Sequence, residues 1–130
     1  MASKICVIMQ GPPGSGKSTF VRTLLPEHAI VCSADEFFVR DGEYRFDPSR
    51  LKDAHAYCKR VFEEAVELGV LCVVVDNTNL LAEHAKPYIE LARQYSYNVV
   101  ICTATGEYPN THGVPDHAVQ RLKNRMEKIA

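Results

Sequence analysis

Four short runs rich in Val, Ile and Cys punctuate the chain: Lys4 to Gln10, Ala29 to Ser33, Val70 to Asp76 and Asn98 to Thr103. Each is continuously apolar rather than alternating, which is the pattern of strands buried on both faces of a sheet. The segments between them carry helical spacing. Asp47 and Pro48 make an N-cap and first-turn pair, Leu51, His55, Cys58, Phe62 and Ala65 follow on one face, and Gly69 is the stop. This predicts a helix of about 20 residues. A second helix is expected from Leu80 to Tyr95 on Leu81, His84, Tyr88, Leu91 and Ala92, with Pro87 kinking or restarting it. A third is expected from Pro115 towards the C-terminus, and another opens where the glycine-rich segment after the first run ends. The order β-α-β-α-β-α-β-α predicts an α/β fold with a parallel sheet wrapped by helices. Val39 to Asp47, polar and containing Gly42, is expected to be an active-site loop.

Composition narrows the class without naming a partner. With 130 residues the expectation is one domain, 1–130. Hydrophobic residues make up 46% and charged residues 24%, and no run approaches the roughly 18 apolar residues of a membrane span. The start, Met1-Ala2-Ser3-Lys4, lacks a secretory signal pattern, so a soluble, cytoplasmic protein is expected. Five cysteines form no Cys-x-x-Cys pair. Cys6, Cys32, Cys72 and Cys102 fall in the four apolar runs and Cys58 in a helix, so they read as small core hydrophobes in a reducing compartment. A net charge of −1 supplies no global basic field, and a polynucleotide partner needs a local basic patch.

The most specific feature is Gly11-Pro12-Pro13-Gly14-Ser15-Gly16-Lys17-Ser18, followed by Thr19. It fits the phosphate-loop pattern G-x-x-x-x-G-K-[ST] completely, after a strand and at the opening of a helix. Glycines let backbone N–H groups curl around phosphate oxygens, and the helix N-terminus adds partial positive charge. Lys17 is the point charge for the β- and γ-phosphates, and the Ser18 hydroxyl is a ligand for Mg²⁺. The expected ligands are ATP and Mg²⁺.

Two further strand ends carry carboxylates. Ser33-Ala34-Asp35-Glu36 closes the second run, and groups at the carboxyl ends of parallel strands share the crevice of the glycine loop. Asp35 is either the general base for an attacking hydroxyl or a cap for the following helix. Asp76-Asn77-Thr78-Asn79 closes the third run. Asp76 fits a Walker-B carboxylate that holds a Mg²⁺-bound water, and the tetrapeptide is also good turn chemistry.

Together these segments resemble the polynucleotide-kinase-like branch of P-loop kinases, a group that includes small ATP-binding kinase domains of the AAA type. The matching residues are 11 to 19, Ser33 to Phe38, Tyr44 to Pro48, Ala54-His55, Asp76 to Asn79, Pro87-Tyr88 and His112 to Pro115. The resemblance implies a three-layer P-loop NTPase fold with a four-stranded parallel sheet ordered 2-3-1-4 and flanked by helices. It implies that Lys17 and Ser18 bind ATP and Mg²⁺, that Asp35 is the base, and that Asp76 places metal water or acceptor.

The chain departs from that family's active pattern in its lid. The fourth run is followed only by Ala104 to Pro109, and Pro109 stands before Asn110 where an arginine is expected. An arginine over the transferring phosphate is worth orders of magnitude in rate. Arg121 and Arg125 either substitute for it or are solvated helix charges, and His112 is open in the same way. In the acceptor loop, Arg40, Arg45, Arg50 and Lys52 alternate with Asp41, Glu43, Asp47 and Asp53, as phosphate clamps or as a solvated loop. Tyr44 and Phe46 either stack on a base or pack on the core, and His55 either reaches the crevice or sits in the core. The leading expectation is a kinase moving the γ-phosphoryl group to a hydroxyl, such as the 5′-hydroxyl of a polynucleotide or that of a small molecule. The rival is a nucleotide-dependent binding or switch module with little transfer.

Overall fold

The structure, a computed structural model, describes residues 3–11, 28–77 and 82–103. It contains six strands in chain order: β1, Ile5–Gln10; β2, Ile30–Cys32; β3, Val39–Arg40; β4, Glu43–Tyr44; β5, Cys72–Asp76; and β6, Asn98–Thr103. The four apolar runs are β1, β2, β5 and β6. They make one parallel sheet in the order β2-β5-β1-β6, which is the expected 2-3-1-4 arrangement. The two central strands are the most buried, because each has a neighbour on both sides. On one face of the sheet, Cys6, Ile8, Val73 and Val75 join the principal core. Val7, Met9, Cys72 and Val74 point the other way into a smaller cluster. The expected helices after the glycine loop and from Pro115 lie outside the described residues.

Helix α1, Leu51–Glu67, follows a 3₁₀ turn at Pro48–Arg50. Asp47 caps that turn as the spacing predicts, its carboxylate accepting from the Ser49 N–H at 3.0 Å and from the Ser49 hydroxyl at 2.6 Å. The helix ends in a Schellman pattern: Gly69 N–H reaches the Val66 carbonyl and Val70 N–H reaches that of Ala65. Gly69 takes φ 74°, a left-handed backbone that favours glycine. The buried face of α1 is Ala54, Cys58, Phe62, Ala65 and Val66, so the expected stripe is rotated at its start. Leu51 and His55 are exposed, because two small or apolar residues one turn apart, Ala54 and Cys58, face the sheet instead.

Helix α2, Ala82–Gln94, buries Ala85, Tyr88, Ile89 and Ala92 and leaves His84 exposed. Pro87 neither breaks nor restarts it; it lies inside the continuous helix. Both Pro87 and Glu83, whose carbonyl it leaves without the usual amide donor, are exposed, so water can serve that carbonyl. Phe62 of α1 meets Tyr88 of α2 edge-on at 5.0 Å between ring centroids, and both helices pack on the same face of the sheet.

The segment expected to be an active-site loop, Val39 to Asp47, contains a hairpin. Strands β3 and β4 pair antiparallel through Asp41 and Gly42, at φ 52° and 77°. Asp-Gly with both residues at positive φ is the two-residue turn whose twist matches a hairpin.

The cysteines are free thiols, and four of them are buried. Burial disfavours the thiolate and pushes Cys6 and Cys32 up to about 12. Among the described residues no helix is long and apolar enough to cross a membrane. At pH 8 a thiol reagent is expected to leave Cys6, Cys32 and Cys58 unmodified in the folded protein and to label all five cysteines in denaturant. Peptide mapping checks this, and rapid native labelling of Cys6 or Cys32 contradicts the burial described.

Candidate active site

The parallel register brings three chain segments to one edge of the sheet. Met9 pairs with Asp76 and Cys32 with Val75, so β1, β2 and β5 end nearly level. Gly11, buried, leaves the end of β1. The rest of the phosphate loop, residues 12–19 with Lys17 and Ser18, lies outside the described residues. At the far side of β1, the Thr103 hydroxyl donates to the buried Gln10 side-chain oxygen at 2.9 Å, which ties the end of β6 to the strand that carries the loop.

Asp35 sits in a 3₁₀ turn, Ala34–Phe38, just past β2. Its carboxylate does not cap that turn. Ser33 does, its hydroxyl oxygen accepting from the Asp35 N–H at 3.2 Å. The Asp35 side chain instead accepts from the Tyr44 hydroxyl at 3.3 Å, which joins it to β4. Burial, followed by the negative charge and hydrogen bond of Asp35, pushes the Tyr44 phenol up to about 12. Tyr44 therefore remains a donor across the neutral range.

Asp76 ends β5 with one carboxylate oxygen fully buried. The next residue, Asn77, fixes the site. Its Oδ1 accepts from the Ala34 N–H at 2.9 Å, and its Nδ2 donates to Cys58 Sγ at 3.4 Å. One side chain thus clamps the turn carrying Asp35 to the strand carrying Asp76, with α1 beneath it. In the sequence Asn77 stands out only as part of a motif and a turn; the signal for its clamping role is an amide, able to donate and accept at once, directly after a buried strand.

Asp76 offers the donor chemistry that Mg²⁺ requires. That ion keeps several waters and takes one or two protein oxygens, and a strand-end carboxylate is a donor of that kind. Among the described residues no cluster of three or more His, Cys, Asp or Glu forms an all-protein metal cage.

The basic and aromatic residues of the hairpin region gather into a groove of about 470 Å³, lined by Phe37, Phe38, Phe46, Arg40, Arg45 and Arg50 together with one carboxylate, that of Asp47. Tyr44 and Phe46 are stacked, 6.5 Å apart and 10° from parallel, and Phe46 meets the buried Phe38 edge-on at 5.1 Å. The rings therefore pack on the core, as one of the two expectations has it, while Phe46 stays 52% exposed. The Arg50 guanidinium lies 4.7 Å above the Phe37 ring and 3.3 Å from the Asp53 carboxylate. Arg45 pairs with Glu43 at 2.6 Å, both exposed, an ion pair weak enough to exchange for a ligand anion. Lys52 is exposed on α1 and does not line the groove. His55 lines a separate cleft between α1 and α2 rather than the core. Pro109, His112, Arg121 and Arg125 lie outside the described residues.

Comparison with known proteins bears on the family and the fold. A family model described as an AAA domain matches residues 6–128. Human NEDD4-binding protein 2 is 37% identical over 136 residues, which span 96% of this chain and 8% of that protein. Mouse 2′,3′-cyclic-nucleotide 3′-phosphodiesterase is 33% identical over 135 residues, 98% of this chain and 29% of that protein. The chain therefore spans less than a third of either relative. A chain of the Pnkp1/Rnl/Hen1 RNA repair complex superposes with a TM-score of 0.67 at 18% identity, over 96% of this chain and 44% of that one. The APS kinase CysC of Mycobacterium tuberculosis superposes with a TM-score of 0.52 at 20% identity, over 96% of this chain and 98% of that one. Both share the fold.

Replacing Asn77 by Ala leaves the Ala34 N–H without its acceptor. The expected cost is about 1–3 kcal/mol in denaturant unfolding, with faster amide exchange at Ala34. A change below about 0.5 kcal/mol contradicts the clamp.

Proposed function

The chain belongs to the AAA domain family and has a P-loop kinase-like fold, and from that premise we propose that it is an ATP-dependent kinase moving the γ-phosphoryl group to a hydroxyl acceptor. The observation that carries the proposal is the Asn77 clamp. It holds Asp35 and Asp76 at the sheet edge from which the glycine loop departs. The match over residues 6–128 supports reading the chain as one such domain, and its free thiols support a cytoplasmic setting.

In this reading Lys17 and the loop backbone hold the ATP phosphates. Asp35 accepts the proton of the acceptor hydroxyl as that oxygen bonds to the γ-phosphorus. The bond from phosphorus to the β–γ bridging oxygen breaks, and ADP departs. Ser18 and Asp76 would hold Mg²⁺, which when bound neutralises charge on the β- and γ-phosphates. The Tyr44 hydroxyl, bonded to Asp35, orients the carboxylate and makes way for the acceptor hydroxyl.

The groove, reached from Asp35 through Tyr44 and the Phe46 ring stacked on it, favours a polynucleotide 5′-hydroxyl as acceptor. Exposed aromatic faces accept bases of any sequence, and arginine forks grip phosphodiesters, so Phe46 with Arg40 and Arg45 suits a single strand. The groove supplies locally the basic surface that the net charge of −1 does not supply globally.

Asp35→Asn tests the assignment. Transfer of label from γ-labelled ATP to a 5′-hydroxyl oligonucleotide is expected to fall about 10²–10⁴-fold. ATP affinity is expected to stay within about threefold. Undiminished transfer by the variant removes Asp35 as base, and a wild-type protein that labels no oligonucleotide, nucleoside or small alcohol overturns the kinase reading.

A further inference from the structure

Between α1 and α2 lies a cleft of about 490 Å³ that the transfer chemistry above leaves unused. His55 and Lys59 line it from α1, His84, Pro87 and Tyr88 from α2, and Asn77 from beyond β5. The spacing explains the convergence. His55 and Lys59 are four residues apart on one exposed face of α1, and His84 and Tyr88 are four apart on α2, so one face of each helix borders the same gap.

The chemistry of the walls is one-sided. Pro87 and the Tyr88 ring give an apolar surface, whereas Lys59 and the two imidazoles offer an ammonium and ring N–H donors. No carboxylate lines the cleft among the described residues. Glu63, one turn beyond Lys59, acts electrostatically on Tyr88 without lining it. Donors without acids over an apolar surface suit an anionic ester attached to a ring or sugar, and the volume is that of a small-molecule site.

Location adds the second argument. Asn77 belongs to the cleft wall and holds the amide of Ala34, the residue before Asp35. An anion in the cleft is therefore one side chain from the turn that bears the general base.

We propose that this cleft binds a phosphate ester carried by the acceptor, through His55, Lys59 and His84, and so presents the acceptor hydroxyl towards Asp35. The acceptor class is a nucleoside phosphate, either free or at the end of a polynucleotide. The role in presenting a hydroxyl rests on the kinase reading; the phosphate contact does not.

The test follows histidine ring resonances by NMR at fixed pH and ionic strength, with the glycine loop filled by a non-hydrolysable ATP analogue. The probes are inorganic phosphate, a nucleoside monophosphate and a short 5′-hydroxyl oligonucleotide. Saturable shifts at His55 and His84 are expected, weakened at least about fivefold by Lys59→Gln and by His84→Asn, both exposed sites that preserve the fold. Tighter binding of the mononucleotide than of the oligonucleotide identifies a free acceptor, and the reverse order identifies a strand end. Absent shifts, shifts reproduced by chloride at matched ionic strength, or shifts unchanged in both variants overturn the proposal. The two failures are separable. Phosphate shifts without transfer to any acceptor remove the kinase reading and leave the cleft an anion site, whereas transfer without shifts removes the cleft alone.

Discussion

The hydrogen bond from the Ala34 N–H to the Asn77 side-chain oxygen, 2.9 Å long, is the constraint on which the candidate site depends. Parallel pairing alone brings strand ends to a common edge, but β2 pairs with β5 only over Ile30 to Cys32, and the chain then turns away. Packing of Ala34 and Phe38 in the core holds the body of the turn bearing Asp35, yet it fixes no backbone polar group against the sheet. Asn77 supplies that cross-link from the strand that carries Asp76, and its amide group rests in turn on Cys58 in the buried face of α1. Sheet, helix and turn are thereby coupled through one side chain.

The architecture was legible because its causes are local. Continuous Val, Ile and Cys runs predicted all four strands of the parallel sheet to within two residues at each end, and Asp47-Pro48 with Gly69 marked the bounds of the first described helical segment. The carboxylates were legible because each follows such a run. What escaped was decided by tertiary packing or by backbone conformation. His55 fits an apolar stripe by spacing, yet α1 turns Ala54 and Cys58 inward. Pro87 reads as a kink or a restart, yet the helix runs on through it, because its missing donor affects a solvent-facing carbonyl. The Asp41-Gly42 turn was visible as a dipeptide, but polar flanks hid the short strands around it, which form a two-stranded sheet of their own.

Around Asp35 the structure separates tasks. Tyr44 connects it to the hairpin and the arginine-aromatic groove on one side. Through Ala34 and Asn77 it is connected to Asp76 and the interhelical cleft on the other. Exposed, weakly paired guanidiniums and exposed aromatic faces suit contacts that are made and released, whereas the clamp uses a partly buried bond suited to fixed geometry. NEDD4-binding protein 2 and 2′,3′-cyclic-nucleotide 3′-phosphodiesterase are much longer than this chain, and the surfaces described are those of the shared segment.

Whether Asn77 acts on phosphoryl transfer by holding Asp35 is decided by a double-mutant cycle on kcat with Asp35→Asn, Asn77→Ala and the pair. If the clamp works through the base, Asn77→Ala lowers kcat by about tenfold or more in the wild-type background but changes it by less than about twofold in the Asp35→Asn background. Equal factors in the two backgrounds would show that the two side chains act independently, and would contradict the account.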